Sequence, residues 1–273
     1  MKNALIKIFK KDKNIIIGAI HFAPLLGYPD YPGFEITLES ALKDLAAFEE
    51  GGVDGVIIEN NYDVPHKINV DKNTVDIMVK LGKEIRNKTN LPIGVNVLWN
   101  DFKSALFIAR AIEAQFIRIP VFVDKVETDY GVIEGNPKEV INYRKEIKAT
   151  DVAIFTDIHV KHAKLLNNKT IQESAIEAAR EGSDALIVTG KWTGDAPEIN
   201  DLQKTKKAVG DFPILVGSGT NEDNIKDLFA YANGAIVSTS LKEGSKISSE
   251  VNVKKYDQRI DINKVKKIVS IIK

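Results

Sequence analysis

Asp157 and His159 stand two residues apart at the end of an apolar run, Val152–Ile158. In an extended chain that spacing turns a carboxylate and an imidazole to one face, roughly 7 Å apart. Such a pair can move protons. A plainer reading stays open beside it: an Asp that orients its neighbours and a His that ends the strand. Glu59 and Asn60 follow a second apolar run and His21 a third. A carboxylate directly after a buried strand is poorly solvated, so its pKa is easily displaced. Glu59 is therefore expected either to bind sugar hydroxyls or to serve as a second proton carrier beside Asp157 and His159. His21, Asn60, Asn96, Arg118 and Thr189 lie in or at the ends of such runs and are expected to bind and orient a substrate. Lys161 and Lys191 lie outside the apolar strands, so a solvated or anion-pairing role suits them better than Schiff-base chemistry, which wants a desolvated amine. Lys161 is expected to contact the substrate.

A second group of residues suits an anion. The stretch Pro213-Ile-Leu-Val-Gly-Ser-Gly-Thr220 precedes a helix expected from Asn221, and Gly234-Ala-Ile-Val-Ser-Thr-Ser240 follows. Glycine lets backbone N–H groups approach a phosphate, and a helix amino end adds its dipole. Gly217, Ser218, Gly219, Thr220, Thr239 and Ser240 are thus the expected phosphate-binding set. His159 and His162 form H-x-x-H in a loop, without the helical i, i+4 spacing of a persuasive metal motif. His21, Glu59, Asp157 and His159 could complete a mixed nitrogen–oxygen site, but no metal is assigned. Trp99 and Trp192 could stack on a ring or cover the site, and Gly190–Gly194 reads as a mobile loop over it.

These residues need elements to position them. Eight Val- and Ile-rich runs recur: Ile15–Ile20, Val53–Ile58, Pro92–Leu98, Phe116–Pro120, Val152–Ile158, Asp184–Thr189, Pro213–Gly217 and Gly234–Ser238. Apolar character without polar alternation marks strands buried on both faces of a parallel sheet. Helical patterns fill the gaps. The first follows Thr37 as N-cap and stops at Gly51-Gly52, and others run near Val75–Ile85, Asp101–Ala114, Pro137–Lys148, Thr170–Gly182, Glu198–Val209, Glu222–Tyr231 and Ile262–Ile272. Eight strand–helix units in 273 residues predict an α/β protein, a single (β/α)₈ TIM barrel spanning 1–273, with its site at the carboxyl ends of the strands. The first strand runs into His21-Phe-Ala-Pro24, without the glycine fingerprint of a doubly wound sheet.

Composition narrows the function classes. Thirty-eight basic and thirty-eight acidic residues cancel, which leaves no global field for nucleic acid or an anionic membrane. The absence of cysteine excludes disulfides, thiolate metal sites and cysteine nucleophiles. No apolar run approaches the ~20 residues of a membrane span, and the start has lysines on both sides of a very short apolar run, unlike a signal peptide. The expectation is a soluble cytoplasmic protein without a cofactor, whose partner is a phosphorylated small molecule, with homo-oligomerisation left open.

The strings His21-Phe-Ala-Pro-Leu-Leu-Gly27, Gly52-Val-Asp-Gly-Val-Ile-Ile-Glu-Asn60, Gly94-Val-Asn-Val-Leu98 and Asp157-Ile-His-Val-Lys-His-Ala163, with Gly217-Ser-Gly219 and Ile236–Lys242, resemble the BtpA (SgcQ-like) family in order and over most of the chain. The resemblance implies a phosphate-binding type of TIM barrel. It also carries two kinds of context: one photosynthetic member is linked to photosystem I accumulation, and another lies among genes resembling sugar metabolism. Pro120 departs from the family's more usual Asn and Ser238 from its usual Gly, the latter narrowing the phosphate cradle. The reading that results is an acid–base enzyme, isomerase or lyase in type, for a phosphorylated sugar or nucleoside-like molecule. Its rivals are an accessory protein for a membrane or photosystem complex and a divalent-metal hydrolase.

Overall fold

The computed structural model describes residues 3–244 and 256–273. Eight parallel strands close into a barrel: β1 (Ile15–His21), β2 (Gly55–Glu59), β3 (Ile93–Asn96), β4 (Phe116–Ile119), β7 (Ala153–Ile158), β9 (Ala185–Val188), β10 (Ile214–Val216) and β11 (Gly234–Val237). Around the barrel their order is β1-β11-β10-β9-β7-β4-β3-β2. Each lies within two residues of an apolar run seen in the sequence. The remaining strands, β5 (Lys125–Thr128), β6 (Gly131–Glu134) and β8 (Lys164–Leu165), form a small antiparallel sheet above the barrel's carboxyl end. The sequence reading lacked this sheet, because short half-exposed strands carry no continuous apolar signal.

Period-2 alternation divides the barrel strands. Ile17 and Ala19 face inward with Ile57, Phe116, Phe155, Ile187, Leu215 and Ile236 in one buried cluster. Phe116 and Phe155 stack at 4.6 Å inside it. Gly94 makes room, since a Cβ there would overlap the Phe116 ring. The opposite faces meet the helices in a larger cluster. A short helix, α1 (Ala4–Phe9), adds Leu5, Ile8 and Phe9 to the inner cluster, so its apolar residues close the barrel's amino-terminal end.

The outer helices are α2 (Phe34–Gly51), α3 (Lys72–Arg86), α4 (Phe102–Ala111), α5 (Pro137–Glu146), α6 (Ile171–Arg180), α7 (Ile199–Val209), α8 (Ile225–Phe229) and α9 (Ile262–Ile272). Their ends follow local chemistry. Thr170 and Glu173 form a reciprocal capping box on α6, and Gly52 ends α2 at φ 85°, a left-handed conformation that favours glycine. Two boundaries differ from the sequence reading. Helix α2 starts after Gly33, and Thr37, the expected N-cap, lies inside it with its hydroxyl donating to the Gly33 carbonyl. The helix expected from Asn221 begins at Ile225, because the Asn221 side chain accepts from the Asp223 and Asn224 amides and holds a turn there. No helix among the described residues is long and apolar enough to cross a membrane.

Candidate functional site

One further step of the inward alternation reaches the carboxyl ends of the strands, and there the inner layer turns polar. It holds His21, Glu59, Asn96 and Arg118, then Asp157, Thr189, Gly217 and Ser238. Glu59 sits in register between His21 and Asn96. The Arg118 guanidinium is the hub: Nε and Nη2 each donate to an Asp157 carboxylate oxygen at 2.8 Å, and Nη1 reaches Glu59 Oε1 at 3.5 Å. Asn96 Nδ2 donates to the same Glu59 oxygen at 3.2 Å, and His21 Nε2 lies 3.5 Å from the other. Gly217 admits the guanidinium, since a Cβ there would press on Ile187, Thr189 and Arg118 Nη2.

These contacts fix the charges. Burial works against the Arg118 cation, but Asp157 and Glu59 hold its pKa above the ordinary value. Burial likewise favours neutral Glu59, yet the His21 hydrogen bond and the Arg118 charge outweigh it and hold the carboxyl at about 2. Desolvation lowers the His21 pKa, so the ring is a neutral donor to Glu59 at physiological pH. Glu59 is thus ionised at physiological pH, which suits the first of its expected roles, binding substrate hydroxyls, better than the second. Asp157 lies beneath Arg118, 1% exposed, with both oxygens engaged in a bidentate pair. That geometry leaves neither Asp157 oxygen free of the guanidinium, unlike the open carboxylate that the expected general acid or base calls for.

His159 does not join Asp157. Its backbone turns left-handed at φ 50°, its amide donates to Asp124, and it lines an outer cavity with Trp192, away from Glu59 and Arg118. Alternation ended with the strand, so the parity that paired the two residues fails one residue past Ile158. The same departure dismantles the four-residue metal set. Among the described residues, no three His, Asp or Glu side chains converge as a metal site.

Lys161 also departs from expectation. Its half-buried side chain lines both cavities that open on Glu59 and Arg118, with no hydrogen bond or ion pair to its amine among the described residues. Desolvation first, then the Arg118 charge, brings its pKa down to about 8. Thr189, expected to touch substrate, instead accepts the Lys161 backbone N–H at 3.1 Å and sets that residue's path. Asn60 likewise turns inward: it accepts from the Leu98 amide, donates to the Leu98 carbonyl and donates to Asp63, tying the loops after β2 and β3 together.

The expected phosphate residues do gather in one cavity. Gly217, Ser218, Gly219 and Thr220 line it from the β10 end, and Ser238, Thr239 and Ser240 from the β11 end. Their roles divide. The Ser218 hydroxyl is spent within the protein, accepting from Gly190 N at 2.9 Å and donating to the Asp195 carbonyl at 2.7 Å. Ser240 donates to the Thr220 carbonyl. The hydroxyls of Thr220 and Ser238 are buried in the cradle wall without a partner among the described residues. Ser238 opens the expected Ser238–Ser240 donor run and stands two residues past inward-facing Ile236, so strand parity carries it into the cavity. Thr193, Gly194 and Asn61 also line the cavities and were missed, because loops carry no such parity.

The Gly190–Gly194 segment, expected to be mobile, is pinned by Ser218 and by its own contacts. Lys191 N donates to Asp195, and Thr193 N donates to His162 Nε2 at 3.1 Å. Gly219 stands at φ +68°, where a Cβ would strike the Asp195 and Ala196 backbone. Gly219→Ala is expected to lower the unfolding free energy by about 2–4 kcal/mol, from left-handed strain plus overpacking. Urea unfolding measures it, and unchanged stability would place the loop elsewhere.

Comparison with known proteins agrees with this fold. Residues 12–273 match the model of the BtpA family. An uncharacterised protein of Methanocaldococcus jannaschii is 37% identical, covering 98% of this chain and 97% of the relative. The photosystem I biogenesis protein BtpA of Synechocystis is 38% identical over 88% of this chain and 84% of its own. Among solved structures, N-(5'-phosphoribosyl)anthranilate isomerase from Pyrococcus furiosus has a TM-score of 0.56 at 13% identity, covering 95% and 98% of the two chains. A Schiff base-forming fructose-1,6-bisphosphate aldolase has a TM-score of 0.53 at 14% identity, covering 99% and 98%. At such identities these two show the fold alone. The family match and the relatives' identity, over nearly the whole length, place this chain in the BtpA family.

Proposed function

We propose that the protein is an acid–base enzyme of isomerase or lyase type acting on a phosphorylated sugar or nucleoside-like small molecule. One observation carries this reading. Among the described residues, two buried hydroxyls without partners, on Thr220 and Ser238, share a glycine-lined cavity with an unpaired, desolvated amine, Lys161. A buried hydroxyl left unpaired costs stability unless a ligand supplies the bond. A phosphate offers several acceptor oxygens to such a cradle.

The amine supplies the chemistry. With a pKa of about 8, a substantial fraction of Lys161 is neutral near physiological pH and can take a proton from the substrate. The ammonium so formed lies in the field of Glu59 and Asp157, which favours it. Ionised Glu59 and neutral His21 orient substrate hydroxyls, and Asp157 keeps Arg118 in place beside them. Isomerisation, or C–N or C–C cleavage, can proceed by such proton transfers.

Ribose 5-phosphate is expected to raise the melting temperature, and ribose at the same concentration to leave it unchanged. At a hundred times its Kd the ligand stabilises by about 2.7 kcal/mol. Equal effects of the two sugars would remove the phosphate from the proposal. A scaffold reading is favoured by the Synechocystis relative's name. It differs in expecting no turnover of any phosphorylated ligand and no effect of Lys161 substitutions on assembly.

A further inference from the structure

The cradle opens into a second cavity that phosphate recognition does not use. Glu59, Asn61, Arg118, Lys161 and Thr193 line both, so one small molecule can occupy the two together. The second cavity holds about 790 Å³ of empty space, solvent at its mouth included. Its walls are of a different kind: Val64, Leu98, Trp99 and Tyr130, with the imidazoles of His66 and His162. The small antiparallel sheet builds this wall. Val126 and Ile133 pack with Trp99 and Val160 in a separate apolar cluster, with Tyr130 against it. Tyr130 sits in the β5–β6 turn, and its ring meets His66 edge-on at 5.2 Å.

Burial lowers both imidazoles to about 4; at His162 the Lys161 charge adds to the effect and Asp129 opposes it. At physiological pH these rings are neutral, so the upper wall offers flat faces and no imidazolium for an anion. The same cavity carries unmatched polar atoms of both kinds. Among the described residues, Asn61 Nδ2 is a buried donor without a partner, and Asn96 Oδ1 a buried acceptor without one. The orientation of Asn96 follows from its chemistry, since its Nδ2 must face the Glu59 carboxylate. His66 Nδ1 is also buried and unpartnered. A hydrocarbon ring would leave all three unsatisfied, at a cost for each.

We propose that this chamber is a subsite for a planar nitrogen heterocycle, which makes the ligand a heterocyclic N-riboside 5-phosphate with its ring against Trp99 and Tyr130 and its phosphate in the cradle. The placing of the phosphate rests on the function proposed above. The ring subsite rests on the chamber's own residues and is separable by experiment.

Calorimetric titration of ribose 5-phosphate, AMP, UMP, adenosine and uridine separates the two. At least one nucleotide should bind tenfold or more tightly than ribose 5-phosphate, and its nucleoside should bind without the phosphate. The protein has two tryptophans, and Trp192 is 49% exposed, so Trp192→Phe leaves Trp99 as a single reporter. Its fluorescence should be quenched by the nucleotide and unchanged by ribose 5-phosphate. Tyr130→Ala should weaken nucleotide binding about five- to a hundredfold, the range of base–aromatic stacking, and leave ribose 5-phosphate affinity within twofold. Nucleotides no tighter than ribose 5-phosphate, or tight binding without Trp99 quenching, overturn the ring subsite while the phosphate cradle stands. Nucleoside binding with no gain from phosphate upholds the ring subsite and overturns the cradle. Absence of binding by all five overturns both.

Discussion

Lys161→Met is expected to lower turnover by about 10²–10⁴, the usual contribution of a positioned acid or base, while the protein stays folded. Folding survives because the amine has no ion pair or hydrogen bond among the described residues, so its removal strands no partner. Methionine also keeps the aliphatic stem that fills the cavity wall. The pH profile supplies the sign. Lys161 acts in its neutral form, and its pKa of about 8 lies well below that of an ordinary lysine. In the parent enzyme kcat/KM should therefore rise with pH and level off above about 8, and Lys161→Met should abolish that limb. A panel of pentose and nucleoside phosphates supplies the substrate. A variant with full turnover, or a profile without the limb, would remove Lys161 from the chemistry.

Asp157→Asn is expected to lower the unfolding free energy by about 3–5 kcal/mol, the cost of breaking a buried ion pair by removing one partner. The amide can accept one of the two Arg118 bonds, but its own N–H then faces the guanidinium. Glu59 cannot compensate fully, since its contact with Arg118 is 3.5 Å long and it already serves Asn96 and His21. Replacing both partners, as Arg118→Met with Asp157→Leu, should recover part of the loss, because the close bidentate pair is removed together while Glu59 loses its Arg118 contact. Chemical denaturation of the single and double variants measures both quantities. An Asp157→Asn protein as stable as the parent, yet without turnover, would restore this carboxylate to proton transfer.

Much of the barrel was legible because buried parallel strands leave an uninterrupted apolar signature, and all eight runs became barrel strands. The strand-end residues were legible for the same reason: parity along β2, β3 and β4 carries Glu59, Asn96 and Arg118 inward. What parity cannot show is which polar groups satisfy one another. Asn60, Thr189 and Ser218 read as ligand contacts, and each turned out to hold a neighbouring loop. Asp157 read as a proton carrier because its partner, Arg118, is 39 residues away on another strand. Lys161 read as solvated because it follows the strand, whereas the loops after β7 and β9 fold over it. His159 was misplaced by extending strand geometry into a left-handed turn. Local pattern reached the elements; the pairing of charges needed the closed barrel.

A crystal structure with ribose 5-phosphate tests the central claim most directly. The phosphate density should lie between Gly217–Thr220 and Ser238–Ser240, with Thr220 Oγ1 and Ser238 Oγ donating to it and the sugar extending toward Lys161 and Glu59. Ligand bound in the outer cavity beside His159 and Trp192, with the cradle left empty and both hydroxyls still unpaired, would contradict it.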